Sequence, residues 1–327
     1  MKLYLIAVLV ACVICLILGK ITIPLLKKLN SVQPILNYVK EHFHKQGTPT
    51  MGGTFFLIAT LITFVMFLRG SYRLSLIAVA VTISFGIVGF IDDFIKIKFK
   101  NNAGLTPIQK ILFQISIAII VSIVAYFSGI TGVYVPFTSV MVDLGVFSIL
   151  LNVFVFIATV NSVNLTDGLD GLASSVSIVY LIAITTLINI QTTVNANMYV
   201  NFKEYENLSL FSLCLAGALI GYLAFNSPKA SVFMGDCGSL AIGGAIASIS
   251  IFTANTLYIP VIGITFLISA ISVIIQVVYY KKTKKRVFLM APLHHHFQHK
   301  GYSEAKISFS YALVTFIISV IVIICVL

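Results

Sequence analysis

Apolar residues in this chain run unbroken between clusters of charge, with little of the periodicity that marks a one-sided helix or a half-buried strand. The uncharged windows are 3–19, 46–68, 74–91, 111–142, 144–166, 171–202, 207–228, 237–280 and 307–327. Each reaches or approaches the roughly 20 residues a helix needs to cross the hydrocarbon of a bilayer. Window 237–280 is too long for one crossing and carries Asn255 and Pro260 near its middle, so it predicts two helices. Ten spans follow. Windows 111–142 and 171–202 exceed one crossing, and their second parts, 131–142 and 191–202, read as loops. Within the first, Gly132-Val-Tyr-Val-Pro-Phe and Val140-Met-Val-Asp143 predict a short β-hairpin near 132–143. The expected fold class is an all-α polytopic integral membrane protein, with residues 1–327 forming a single membrane-embedded domain.

Composition supports that pattern. Of 327 residues 59% are apolar and 9% charged, and the mean hydropathy is +1.06; soluble domains carry about 25% charged residues. The net charge of +11 would suggest a nucleic-acid partner in a soluble protein. Here its placement accounts for it. Loops 24–51, 92–110, 226–238 and 280–306 hold 16 of the 21 lysines and arginines, against Lys2, Arg69, Arg73 and Lys203 on the alternate side. The positive-inside rule then turns those four loops to the cytoplasm and both termini outward, with no nucleic acid required. Lys2 before an apolar run imitates a secretion signal, but no small-residue cleavage pattern follows and nine more spans do. Cys12, Cys15, Cys214 and Cys325 lie within apolar spans, where a thiol acts as a small hydrophobe.

The ten carboxylates carry the chemistry. Asp143, Glu204 and Glu206 fall in outer loops, whereas Glu41, Asp92, Asp93, Asp167, Asp170, Asp236 and Glu304 fall on the inner side. Most of these sit at the end of a span, where entry into hydrocarbon is costly, so they call for a reason. Asp92-Asp93 closes the third span, followed by Lys96, Lys98 and Lys100; adjacent carboxylates repel unless a cation lies between them. Asn161-Ser-Val-Asn164-Leu-Thr-Asp167-Gly-Leu-Asp170-Gly171 suits a turn presenting backbone amides and side-chain oxygens to a polar ligand. An EF-hand is excluded, because position 12 counted from Asp167 is Ile178. Phe233-Met-Gly-Asp236-Cys-Gly, preceded by Asn226-Ser-Pro, sets one carboxylate on a glycine-flanked turn, as suits a magnesium ligand. Pro292-Leu-His294-His295-His296-Phe follows a basic stretch, and its imidazoles fit phosphate better than zinc. Lys45-Gln-Gly-Thr-Pro-Thr50-Met-Gly-Gly, beside His42 and His44, is compatible with phosphate and equally with a plain connection. All five clusters belong to one membrane face, which makes a shared cytoplasmic site for phosphoryl transfer the economical reading.

Taken together and in this order, the strings from Lys45 to about residue 304 closely resemble the phospho-N-acetylmuramoyl-pentapeptide transferases of bacteria. The resemblance implies a bacterial cytoplasmic-membrane enzyme that transfers phospho-MurNAc-pentapeptide from UDP-MurNAc-pentapeptide to undecaprenyl phosphate, giving lipid I and UMP with Mg²⁺ as cofactor. Carried over by position, Asp92 and Asp93 match the pair that handles the lipid phosphate, Asp236 the Mg²⁺ ligand, and His294, His295 and His296 the essential histidine motif. Asn161, Asn164, Asp167, Asp170 and Phe233 match the nucleotide pocket, with Phe233 against uracil. Lys45, Thr50, Asn226 and Gln276 match further polar positions. Cys237 and Tyr302 depart from the Thr and Trp usual there, and neither departure removes a reactive group. A phosphate monoester is already ionised at neutral pH, which favours Asp92 and Asp93 as positioning and metal-linked groups over a covalent nucleophile. A sister enzyme transferring GlcNAc-1-phosphate would share the aspartates but not the Pro-Leu-His-His-His-Phe string. A secondary transporter would need ionisable groups at mid-membrane. Oligomeric state stays open, a homodimer included.

Overall fold

The computed structural model describes residues 2–29, 47–99, 104–138, 140–194 and 202–327. Lys45, His42 and His44 lie outside these. The helices are α1 (Lys2–Lys28), α2 (Gly53–Phe67), α3 (Arg73–Phe99), α4 (Pro107–Phe127), α5 (Phe147–Thr166), α6 (Leu172–Val194), α7 (Phe202–Asn226), α8 (Gly235–Phe252), the short α9 (Ile259–Ile262), α10 (Ile264–Thr283), α11 (Leu293–His299) and α12 (Glu304–Val326). Two strands, β1 (Gly132–Tyr134) and β2 (Met141–Asp143), pair antiparallel with Gly132 opposite Asp143. The hairpin expected there is present.

Among the described residues nine helices are long and apolar enough to cross a membrane. The tenth expected span, α2, has only 15 residues. Its window is shortened because the stretch before it is spent on backbone pairing: Phe233 N–H donates to Pro49 O (2.8 Å), Gly52 N–H to Phe233 O and Gly53 N–H to Met234 O (both 2.9 Å). The long window 237–280 does break where expected, ending α8 at Phe252 and restarting at Ile264. A second boundary moves the other way. Gln191 and Thr192, expected in a loop, are still in α6, and the Gln191 amide exchanges two hydrogen bonds of 2.9 Å with buried Asn255. A paired amide removes the cost of burying either one alone, so the helix continues.

Helix α8 is the axis of the bundle. Every residue from Cys237 to Phe252 is buried, and α3, α5 and α2 pack around it. Small residues make the approach possible, as in membrane bundles generally: a methyl group on Gly243 would meet the Val160 backbone at 2.5 Å, and one on Gly244 would meet the Phe85 ring at 2.6 Å. Gly89 of α3 sits directly on the Asp236 carbonyl, leaving no room for a β-carbon. The peripheral helices α1, α4, α10 and α12 instead turn large apolar residues outward, among them Leu9, Ile120, Ile274 and Phe316. That is the inverse of a soluble fold and suits a lipid solvent.

Candidate active site

At one end of the bundle α3 and α5 finish while α4 and α8 begin, and there Asp92, Asp93 and Asp236 converge. One oxygen from each lies within 4.8 Å of the others, with Asp92 and Asp93 buried. Close packing of α3 on α8 at Gly89 brings the pair to Asp236, and the turn before α8 completes the approach. Gly235 has φ +74°, and a β-carbon there would strike Asp93 Oδ2 and crowd Thr50 Oγ1 at 2.8 Å; only glycine takes that conformation without strain. Thr50 is itself buried. Cys237 N–H donates to Asp93 Oδ2 (3.1 Å) and Leu105 N–H to Asp92 Oδ1 (2.7 Å).

Two ammonium groups neutralise most of this charge. Lys96 Nζ lies 2.6 Å from Asp92 Oδ2 and 2.9 Å from Asp236 Oδ2, and Lys110 Nζ lies 2.8 Å from the same Asp236 oxygen. Lys110 reaches the cluster because α4 starts where it does. Thr106 and Gln109 form a reciprocal cap and Pro107 takes the first helical position, which sets Lys110 in the first turn. The sequence reading passed over Lys110 as one more inner-face charge; the Thr-Pro-x-Gln cap beside it was the available signal. Hard carboxylate oxygens gathered around a point already held by cations fit a divalent ion such as Mg²⁺.

Other expected residues divide into those that join the cluster and those spent on holding it. Asn164 Nδ2 donates to Asp236 Oδ1 (2.7 Å) and Ser239 Oγ (2.8 Å), so it orients the Asp236 carboxylate. Asp167, at the end of α5, is pushed well above the usual carboxylate range by burial, then by the charges of Asp236, Asp93 and Asp170. Asn161 lies a turn further back and gives its amide to Gln114 Oε1 (2.7 Å) and Ile157 O (2.8 Å). Asp170 and Asn226 are buried and tie loops: Ala230 N–H donates to Asp170 Oδ2 (3.0 Å), Gly171 N–H to Asn226 Oδ1 (3.1 Å), and Asn226 Nδ2 to Val232 O (3.0 Å). Phe233 is half-buried on the loop so fixed.

The histidines are carried on α11. His294 is buried with its ring against Gly168 of the Asp167–Asp170 turn, close enough to exclude a β-carbon there, and the His295 ring lies tilted beside it at a centroid separation of 4.4 Å. His296 faces the preceding loop, where Leu289 N–H donates to its Nδ1 (3.1 Å). Partial burial, then the charges of Lys300 and His299, hold it below the usual imidazole range. Gln276 shapes that loop, accepting from Val287 N–H (3.0 Å) and Phe288 N–H (2.9 Å). Carboxylates, lysines and imidazoles from four separate loops thus border one region, and Lys45 lies outside the described residues.

A family model described as glycosyl transferase family 4 matches residues 74–254, and a phospho-N-acetylmuramoyl-pentapeptide-transferase signature matches residues 45–57. The chain is 39% identical over 321 residues to the phospho-N-acetylmuramoyl-pentapeptide-transferase of Clostridioides difficile (strain 630), covering 97% of this chain and 96% of that protein. It is 41% identical over 312 residues to the protein of that name from Caldanaerobacter subterraneus subsp. tengcongensis, with 95% of each covered. To that from Thermoanaerobacter sp. (strain X514) it is 42% identical over 312 residues, again with 95% of each covered.

Proposed function

Because the chain belongs to the phospho-N-acetylmuramoyl-pentapeptide transferase family, a multi-pass membrane family of bacterial peptidoglycan synthesis, we propose a division of labour among its residues for that transfer. The donor is UDP-MurNAc-pentapeptide, the acceptor undecaprenyl phosphate, and the products are lipid I and UMP. The observation that carries this reading is the meeting of Asp92, Asp93 and Asp236 with Lys96 and Lys110 at one end of the bundle. Asp236, with Asp92 and Asp93 beside it, would hold Mg²⁺, which when bound supplies positive charge to the diphosphate.

The chain's own groups do the rest. Lys96 and Lys110 face the diphosphate and offset charge that grows on the departing UMP, the main task in phosphoryl transfer. The acceptor phosphate is held in the membrane plane, so reaching Asp92 and Asp93 at the helix ends is a search in two dimensions with its orientation set in advance. Asn164 keeps Asp236 directed at the metal position. Asp167 and the half-buried Phe233 line the nucleotide side, and His294, His295 and His296 border the phosphates. Thr50 approaches from the segment before α2, while Asp170, Asn161, Asn226 and Gln276 brace the walls; Lys45, outside the described residues, would add a further positive charge for the phosphates.

The test is UMP release by the purified protein with undecaprenyl phosphate and either UDP-MurNAc-pentapeptide or UDP-GlcNAc at equal concentration. Turnover is expected with the first donor only; comparable rates with the second would favour the GlcNAc-transferring alternative. Asp236→Asn should abolish turnover while the protein stays folded and inserted, since a hard cation loses a charged ligand without a change of shape. Chelator should stop the wild type and added Mg²⁺ restore it.

A further inference from the structure

Beside the histidine motif lies a chain of hydrogen bonds whose directions follow from the carboxylate at its end. Ser303 caps α12, its Oγ accepting from Lys306 N–H (3.4 Å), and so fixes Glu304 in the first helical turn. Asp170 N–H donates to Glu304 Oε2 (3.2 Å). Gln298 Nε2 donates to Glu304 Oε1 (3.3 Å), and Gln298 Oε1 lies 3.0 Å from His295 Nδ1. A carboxylate only accepts, so the Gln298 amide must turn its NH₂ toward Glu304 and its oxygen toward the ring. An amide oxygen also only accepts. The proton of neutral His295 therefore sits on Nδ1. The next residue is held the other way: His296 Nδ1 accepts from Leu289 N–H, which puts its proton on Nε2.

We propose that Glu304, acting through Gln298, is a positioning residue that fixes His295 as its Nδ1–H form, so that the adjacent His295 and His296 work from opposite tautomers. The role rests on the reading that these histidines border the phosphates. His295 Nε2 faces the Asp167–Asp170 turn, lying 3.0 Å from where a β-carbon on Gly168 would stand. With Nδ1 committed to Gln298, Nε2 is the atom that takes up a proton, and the ring that results is a cation braced from behind by a carboxylate. His296 offers Nε2–H as a fixed neutral donor. One ring carries the mobile proton, and the other supplies a hydrogen bond whatever the first is doing.

The directions also dictate how the relay can be inverted. In Glu304→Gln the new amide keeps its oxygen on Asp170 N–H and presents NH₂ to Gln298. That residue must then flip, turning its own NH₂ toward His295 and driving the ring proton to Nε2. Exchanging the two residues, Gln298→Glu with Glu304→Gln, keeps Asp170 N–H donating to position 304 and restores donation from His295 Nδ1–H to position 298, with only the bond between 298 and 304 reversed. Full-length protein with ¹⁵N-histidine in lipid nanodiscs reports the tautomer directly, about two pH units above the usual imidazole value of roughly 6.5 so that the rings are neutral. The His295 signals are assigned by their loss in His295→Gln. The expected result is a pyrrole-type Nδ1 in the wild type, a pyrrole-type Nε2 in Glu304→Gln, and recovery in the exchanged pair. Turnover should fall at least about tenfold in the single variant, in kcat more than in KM, and return in the pair; a wrong tautomer costs up to about 10⁴ in other enzymes.

A wild-type Nε2–H form of His295 would overturn the proposal. So would an unchanged tautomer in Glu304→Gln or a failure of the exchange to restore it. In each of those cases the site reading survives, provided that His295→Gln is inactive. Near-normal turnover in His295→Gln would overturn both.

Discussion

Asp167 shows how one side chain can oppose the fold that carries it. Desolvation of its half-buried carboxyl, then the charges of Asp236, Asp93 and Asp170, raise its proton affinity in the native state. The unfolded chain releases that proton near pH 3.9; the native chain holds it to higher pH. Stability therefore falls as pH rises from about 4 through the native value, and the whole penalty is present above it. Asp167→Asn should accordingly melt higher than the wild type in detergent at alkaline pH, with the gap closing toward pH 4, while losing turnover. A lower melting temperature at every pH would contradict this. At this scale the sequence was informative about which residues gather and silent about how each is used. Asp92, Asp93 and Asp236 were legible because charge at the edge of a span needs a reason. Lys110 was not, since a lysine at an inner helix end is what topology alone supplies, and neither was Glu304, whose partners Gln298 and Asp170 become visible only when α5, α11 and α12 meet.

Among the elements, the contact of α3 with α8 decides whether a site exists. Gly89 lies on the carbonyl of Asp236, so the two helices touch backbone to backbone at the level of the carboxylates. Gly89→Val should force them apart, costing about 1–3 kcal/mol by overpacking and removing activity through the misplaced Asp92 and Asp93. Thermal unfolding and UMP release would check it; full activity with normal melting would show the contact to be unimportant. Helix positions were largely readable from uncharged windows, because lipid forces backbone groups to pair within the segment. The misreadings came where polar groups found partners far along the chain. Pro49 and Gly52 left the second span to pair with Phe233, with Gly53 bound to Met234 at its start, and Gln191 stayed helical because Asn255 met it. Uncharged length records neither.

For the molecule as a whole, the distribution of charge sets the direction in which the bundle crosses the membrane. The basic loops around Lys98, Lys229 and Lys284 should face the cytoplasm and both termini the outside. In a cysteine-free background, Lys284→Cys should resist an impermeant thiol reagent in intact cells and react once the membrane is opened; labelling from outside would invert the topology. Helix α2 adds a property of the surrounding lipid. Its 15 residues rise only about 22 Å, against roughly 30 Å of hydrocarbon, and Ile58, Ile62, Val65 and Met66 turn outward along it. Thinning of the lipid along that flank is one accommodation of so short a helix. A pinched leaflet there would lower phosphate headgroups toward the segment before α2, which pairs with the loop leading to Asp236. Turnover after reconstitution should then peak in bilayers of shorter acyl chains and decline as they lengthen, making membrane thickness a control on the first lipid-linked step of the cell wall.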